Sequence, residues 1–210
     1  MEAGRRYTES RERITALVAG LSPRQLGRPV PAMPGRTVRD VVEHLVGAAA
    51  DLTGHRAGDV DDVDLRTSLE RWAAMGPVIE SSADSSEEVG DRLAEDIACH
   101  EHDLRGALRQ VGERDSATVD HARQTAVCRL HGRLESGDVA GLRLLAGETE
   151  WIIGGTVPAA TLTTDPFTLF RLLFGRRSRG QLRALSWTND PEPYVGLLSQ
   201  TPPLLVDLLE

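Results

Sequence analysis

Apolar side chains recur at the spacing of helices through most of residues 1–136. Four helices follow from this pattern, and the second has the clearest beginning. Thr37 can cap it, and Asp40 stands at the reciprocal position three residues later. A helix-like segment over 117–134 either closes a bundle of these helices or bridges to the next part of the chain. The four helices are predicted near residues 6–21, from 37 onward, near 69–75 and over 87–108.

The pattern changes after Gly137. Short apolar runs flanked by glycine and a stretch of alternating β-branched residues predict strands, and Asp165-Pro166 begins an amphipathic helix. We therefore expect an α+β protein with two domains, a four-helix bundle over residues 1–136 and a small α/β domain over residues 137–210. The strands are predicted over 142–145, 151–153 and 159–164, and the helices over 167–174 and up to about Leu185.

Composition and charge narrow the classes of function. The 210 residues are 40% hydrophobic and 27% charged, the balance of an ordinary globular protein. A formal net charge of -8 repels phosphate backbones, so we expect no nucleic-acid partner. The polar N-terminus lacks the apolar core of a signal peptide, and no stretch is long enough to span a bilayer. The chain is therefore expected in the cytoplasm, without a membrane partner.

Two imidazoles and a carboxylate can come together in the predicted bundle. Asp96 and His100 stand four residues apart, so they lie on one face of the fourth helix within a turn of each other. His44 lies on the flank of the apolar stripe of the second helix, and close packing of the two helices would unite all three side chains. Three such ligands leave a coordination position open for water or substrate, which is typical of a catalytic metal site. The same pair also arises by chance, and a histidine at the edge of a core is commonly a packing residue.

A helical wheel places the other polar residues of the fourth helix. His102 faces nearly the opposite way from His100, so we leave it outside the site. Two further residues, Cys99 and Asp103, are predicted on the polar side. The apolar line that defines this side consists of Leu93, Ile97, Leu104 and Leu108.

Three stretches of the sequence resemble the mycothiol-dependent maleylpyruvate isomerase family, a branch of the DinB-like helical bundles. Residues 34–45, PGRTVRDVVEHL, are similar to the family's PGWTVRDVVAHL segment, and residues 96–103, DIACHEHD, are similar to its later helix. The tail over 165–179, DPFTLFRLLFGRRSR, looks like the family's C-terminal domain, which is similar to sterol-carrier-type α/β folds. The three stretches follow one another in the order of the family.

This resemblance implies a ligand set, a cofactor and a chemistry. The family's metal ligands fall on His44, Asp96 and His100, with zinc as the expected metal and nickel as the alternative. Mycothiol, a low-molecular-weight thiol, would be the cofactor, and a small electrophile would be the substrate. Metal coordination favours the nucleophilic thiolate, which would lead to cis–trans isomerisation or to thiol transfer. The connection over 54–66, with an acidic loop at 58–64, would shape the substrate pocket.

The chain departs from the family pattern at two positions. Arg36 stands where the family usually has Trp, so the packing at the start of the second helix is expected to differ. Asp96 replaces the commoner Glu, and its shorter arm would shift the metal preference or the geometry.

Two other classes of function stay open. A non-catalytic module would use the same fold to bind a small apolar ligand or a protein partner, with a vestigial His/Asp trio. A metal-assisted hydrolase would activate water at the open position. Its base would be Asp103 or Glu43, although helical phase turns Glu43 outward. The arginines at 176, 177 and 179 could attract an acidic substrate, but such a turn is more commonly a solvated surface.

Overall fold

The computed structural model describes residues 2–54 and 64–210, which form two compact units. The first unit ends at Gly112 and also includes Glu210, and the second runs from Glu113 to Leu209. Residues 55–63 lie outside the described residues. They include the acidic loop predicted at 58–64, apart from Asp64, and most of the connection over 54–66 that was predicted to shape the pocket.

Four long helices build the first unit, as the apolar periodicity predicts. Helix α5 contacts α1, α3 and α4, and α4 in turn contacts α1 and α3. A short helix, α2, lies in the connection between α1 and α3. The helices are α1 (Glu2–Val18), α2 (Pro23–Leu26), α3 (Val38–Leu52), α4 (Leu65–Ser85) and α5 (Glu87–Leu108).

The start of α3 forms as its sequence predicts. The backbone N–H of Thr37 donates to the Asp40 carboxylate at 2.7 Å, and the Thr37 hydroxyl accepts from the backbone N–H of Asp40 at 3.3 Å. The bond from the Thr37 backbone is the main reason why the pKa of Asp40 is lowered. Arg36 is exposed, so the reciprocal cap forms here without a tryptophan at that position.

The middle of α5 is buried on all sides, which corrects one prediction. Residues 97–104 are all buried, including Cys99 and Asp103, which the helical wheel placed on the polar side. The wheel assumes one buried face and one solvated face. Because α1, α3 and α4 all contact α5, the polar residues of this stretch lie inside the bundle.

A small mixed sheet with helices forms the second unit, so the α+β fold class is confirmed. Strand β1 lies between β2, to which it is antiparallel, and β3, to which it is parallel. Strand β4 adds an antiparallel edge to β3, giving the order β2-β1-β3-β4. The elements are α6 (Ala117–Glu135), β1 (Gly141–Ala146), β2 (Thr149–Ile153), β3 (Pro158–Thr164), α7 (Pro166–Leu173), α8 (Arg179–Arg183), β4 (Ser186–Trp187) and α9 (Glu192–Val195).

Helix α6 belongs to the second unit, because it packs against α7 and β2. The division of the chain into two compact units falls between Gly112 and Glu113, before this helix, whereas the pattern of the sequence suggests a domain boundary at 136/137. The change from helical to strand-like texture marks the end of α6 correctly. It does not show which unit that helix packs with.

Apolar residues of the second unit follow the periods of its elements. On β1 the alternate residues Leu142, Leu144 and Ala146 are buried. On α7 the rings of Phe167 and Phe170 lie 6.0 Å apart, and Phe170 is completely buried. No helix in the described ranges is long and apolar enough to cross a membrane.

Candidate metal centre

The three residues predicted as metal ligands come together in the bundle. Helix α3 supplies His44, and α5, which packs against it, supplies Asp96 and His100. The Nε2 atoms of His100 and His44 lie 3.3 Å and 3.5 Å from the same oxygen, Oδ1 of Asp96. The two imidazole rings meet edge to face with their centroids 4.9 Å apart. Both nitrogens therefore converge on one carboxylate oxygen.

This arrangement has donor types that suit a metal ion, and two of the donor separations also suit one. One donor atom from each of His44, Asp96 and His100 can be chosen so that all lie within 4.8 Å of one another. Ligand atoms about 2.1 Å from a tetrahedral ion lie about 3.4 Å apart, close to the two separations measured from Asp96. Two imidazoles with one carboxylate suit a divalent transition metal.

Solvent exposure is graded across the three side chains. The side chain of His100 is 8% exposed, that of Asp96 is 39% exposed and that of His44 is 50% exposed. The centre is thus anchored in the bundle at His100 and reaches the surface at His44. A ligand from solvent would reach an ion held by these residues from the side of His44.

Charge around the centre stabilises an ionised carboxylate and a protonated imidazole. Burial raises the pKa of Asp96, but hydrogen bonds to His100 and His44 outweigh it and hold that pKa well below its usual range. Burial lowers the pKa of His100, but hydrogen bonds to Asp103 and Asp96 outweigh it and raise that pKa to about 9.

One polar contact behind the centre was not predicted. Nδ1 of His100 lies 3.2 Å from Oδ2 of Asp103, whose side chain is fully buried. The three-residue spacing in the sequence could have indicated this contact, but the wheel directed Asp103 to the polar side.

The charge of Asp96 also affects the pKa of a buried tyrosine. Tyr7 on α1 accepts a hydrogen bond from Nε1 of Trp72 at 2.8 Å. Burial, with a smaller contribution from the charge of Asp96, raises the pKa of Tyr7 to about 12. Tyr7 therefore stays protonated and uncharged, and it is buried in the bundle near the centre. No spacing in the sequence links it to the three ligands.

A family comparison bears directly on this geometry. The profile of the mycothiol maleylpyruvate isomerase N-terminal domain matches residues 7–150. The chain belongs to this family. The matched range includes His44, Asp96 and His100, and it ends within β2. No curated protein and no solved structure gives a significant match.

Family membership confirms the resemblance noted from the two stretches at 34–45 and 96–103, and the helical bundle agrees with it. The third stretch, at 165–179, lies outside the matched residues. The domain boundary at 136/137 stays a prediction, because the profile ends inside a strand. The likeness of the tail to sterol-carrier-type folds also stays a prediction.

The other polar residues that the sequence analysis discussed are not among the three candidate ligands. His102 is buried on α5 and is not part of the group His44, Asp96 and His100. Glu43 is exposed and lies 3.6 Å from Arg39, which agrees with its predicted outward direction. In the second unit, Arg176 and Arg177 donate to the backbone carbonyls of Phe174 and Arg176, respectively.

A second ionised cluster adjoins the centre on α5. Glu101, the residue after His100, has a side chain that is 1% exposed. It accepts hydrogen bonds from Arg13 of α1 at 2.8 and 2.9 Å, and from Arg105 at 2.9 and 3.0 Å. Its charge is therefore matched by two guanidinium groups inside the bundle, and we call these three residues the Glu101 cluster.

Proposed function

We propose that this chain is a metal-dependent, thiol-using enzyme, a mycothiol-dependent isomerase or S-transferase that acts on a small electrophilic substrate. The observation that supports this proposal is the convergence of His44, Asp96 and His100 on one point with one side open to solvent. Membership of the mycothiol maleylpyruvate isomerase family supports the choice of thiol.

The donor set fits zinc first and nickel as the alternative. When bound, the metal would favour the thiolate form of an entering thiol near neutral pH. His100, buried in the bundle, gives the site a fixed point. The carboxylate of Asp96 offsets part of the positive charge. His44 lies at the exposed side, where thiol and substrate would approach.

The proposed chemistry is an addition of sulfur to an electrophilic carbon. As the carbon–sulfur bond forms, the electron pair of the attacked double bond moves to the neighbouring electron-withdrawing group. Rotation about the resulting single bond and expulsion of the same sulfur re-form the double bond, give the other geometric isomer and regenerate the thiolate. Protonation of the carbon instead leaves the sulfur attached and gives a transfer product. Such a thiol cofactor stays reduced in the cytoplasm, where we place the protein.

The hydrolase alternative has less support in the described residues. Of its two candidate bases, Asp103 is fully buried and contacts the ring of His100. The other, Glu43, is exposed and directed toward Arg39. Asp103 is thus shielded from solvent, and the carboxylate of Glu43 is paired with a guanidinium group.

Thiol binding and turnover test the proposal together. The Co²⁺-loaded protein would be titrated with mycothiol, and the loaded protein would then be given mycothiol and an activated cis-alkene, with products followed by NMR. We expect a thiolate-to-cobalt absorption band and a trans isomer or thioether that needs the thiol. Both should be lost in His44→Ala and kept in His121→Ala, a change outside the centre on α6. A loaded wild type with neither band nor product would favour the non-catalytic binding module.

A further inference from the structure

Both ring nitrogens of His100 have a carboxylate partner. Nε2 lies 3.3 Å from Oδ1 of Asp96, at the centre, and Nδ1 lies 3.2 Å from Oδ2 of Asp103, on the opposite edge of the ring. The Asp103 side chain is fully buried, whereas that of Asp96 is 39% exposed. The ring is therefore held between an outer carboxylate that reaches solvent and an inner one that does not.

The inner carboxylate determines which nitrogen can bind an ion. A neutral imidazole carries one ring proton, and the nitrogen without it is the one that ligates. A carboxylate beside Nδ1 accepts a hydrogen bond from that position, so the proton stays there and Nε2 presents its lone pair to the centre. Asp103 and His100 are three residues apart on α5, so the helix backbone fixes the geometry of this contact.

His44 has a different environment. In the described part of the chain its hydrogen-bond partner is Asp96, on Nε2, and its side chain is half exposed. The two histidines of the centre therefore differ. His100 has a buried carboxylate beside its second ring nitrogen, whereas the hydrogen-bond partner of His44 is Asp96, which is itself one of the three candidate ligands.

We propose that Asp103 is the positioning residue of this centre: it holds His100 in the Nδ1-protonated tautomer and orients Nε2 toward the ion. The proposal rests on the proposed function, since it requires a metal at His44, Asp96 and His100. Asp103 acts through His100, because its complete burial keeps it away from thiol and substrate.

Replacement by an amide of the same size tests this role. Asp103→Asn removes the charge and the second acceptor oxygen, so the amide can hold either tautomer. We expect Zn²⁺ affinity, measured by competition with a chelator, to fall about 10- to 100-fold. We also expect the visible absorption of bound Co²⁺ to shift, which a purely structural role far from the ion would not cause. Asp91→Asn, nearer the start of α5, is the matched control and should keep both properties.

Unchanged affinity and an unchanged Co²⁺ spectrum in a folded Asp103→Asn variant would overturn the role of Asp103 while leaving the metal site standing. Failure of the wild type to bind Zn²⁺ would overturn both the proposed function and this inference.

A second measurement does not depend on a variant that folds. Nitrogen-15 histidine spectra of the Zn²⁺-loaded wild type should show His100 with a proton on Nδ1 and the metal on Nε2. The reverse assignment, with the metal on Nδ1, would exclude the proposed role.

Discussion

Two clusters of ionisable residues, one residue apart on α5, differ in how their charges are satisfied. The Glu101 cluster is closed: one buried carboxylate faces two guanidinium groups that donate at least four hydrogen bonds to it. The candidate metal centre is open: two imidazole nitrogens face a single carboxylate oxygen, and His44 and Asp96 reach solvent.

This difference predicts a structural role for the Glu101 cluster and a ligand-binding role for the candidate metal centre. A buried charge is costly unless it is paired and hydrogen-bonded, and Glu101 meets both conditions within the bundle. This cluster also joins α1 to α5 through Arg13. At the centre, by contrast, the three side chains leave donor atoms around one point that an ion could occupy. We therefore expect the first cluster to govern stability and the second to govern ligand binding.

The largest effect is expected from breaking the closed cluster. Glu101→Gln leaves Arg13 and Arg105 without their counter-charge inside the bundle, so the free energy of unfolding should fall by about 3 kcal/mol. Urea unfolding monitored by circular dichroism measures this change. The exposed pair Arg5–Glu9 on α1 is the control, and Glu9→Gln should change stability by less than about 1 kcal/mol. Equal losses of stability in the two variants would contradict the structural role of the Glu101 cluster.

A metal ion should stabilise the fold through the open cluster. Zn²⁺ at about 100 times its dissociation constant should add about 2.7 kcal/mol to the free energy of unfolding. The gain should vanish in His44→Ala, because this variant lacks one of the three ligands. Glu43→Ala alters the exposed neighbouring residue and should keep the gain. Thermal unfolding with and without Zn²⁺ gives the comparison, and the same rise in Tm in His44→Ala would argue against the centre.

The pH dependence of metal binding tests whether His100 ligates the ion at the open cluster. Burial lowers the pKa of His100, but Asp103 and Asp96 raise it to about 9, so below that pH the metal-free protein holds a proton there that an ion must displace. Affinity should therefore fall as the pH drops below about 9, by about tenfold per pH unit for one displaced proton. Chelator competition at several pH values, corrected for the chelator's own titration, measures the slope. A constant affinity over this range would be inconsistent with a ligating His100.

The smallest effect is expected from changing the length of the acidic arm. Asp96→Glu introduces the residue that is commoner in the family at this position. We expect the metal stoichiometry to be kept and the Zn²⁺ affinity to change by no more than about tenfold, or 1.4 kcal/mol, because His44 is exposed enough to adjust. Isothermal titration would detect the change. Complete loss of binding would mean that the shorter arm is essential to this centre.

The sequence predicts those parts of the fold that depend on local patterns. Thr37 and Asp40 give the start of α3, because a reciprocal cap involves only residues three apart. The long helices of the bundle follow from the period of their apolar residues. Strands β1 and β2 follow from short apolar runs flanked by glycine, and β3 follows from its alternating β-branched residues. The three candidate ligands meet because α3 and α5 are neighbours, a condition that the spacing within each helix cannot supply.

What the sequence misses depends on packing. Asp103 is buried because three helices surround α5, and a helical wheel with one solvated face cannot represent that. The placement of α6 with the second unit depends on contacts with α7 and β2, which lie later in the chain. Strand β4, only two residues long, exists through its pairing with β3 and has too few residues to show a period.

Metal content tests the central claim most directly. Protein purified without chelators would undergo elemental analysis beside His44→Ala and His100→Ala, with circular dichroism to confirm that both variants keep their helices. The account predicts about one equivalent of zinc or nickel in the wild type and its loss from both folded variants. A wild type that contains no metal, even after zinc and nickel are supplied, would contradict it.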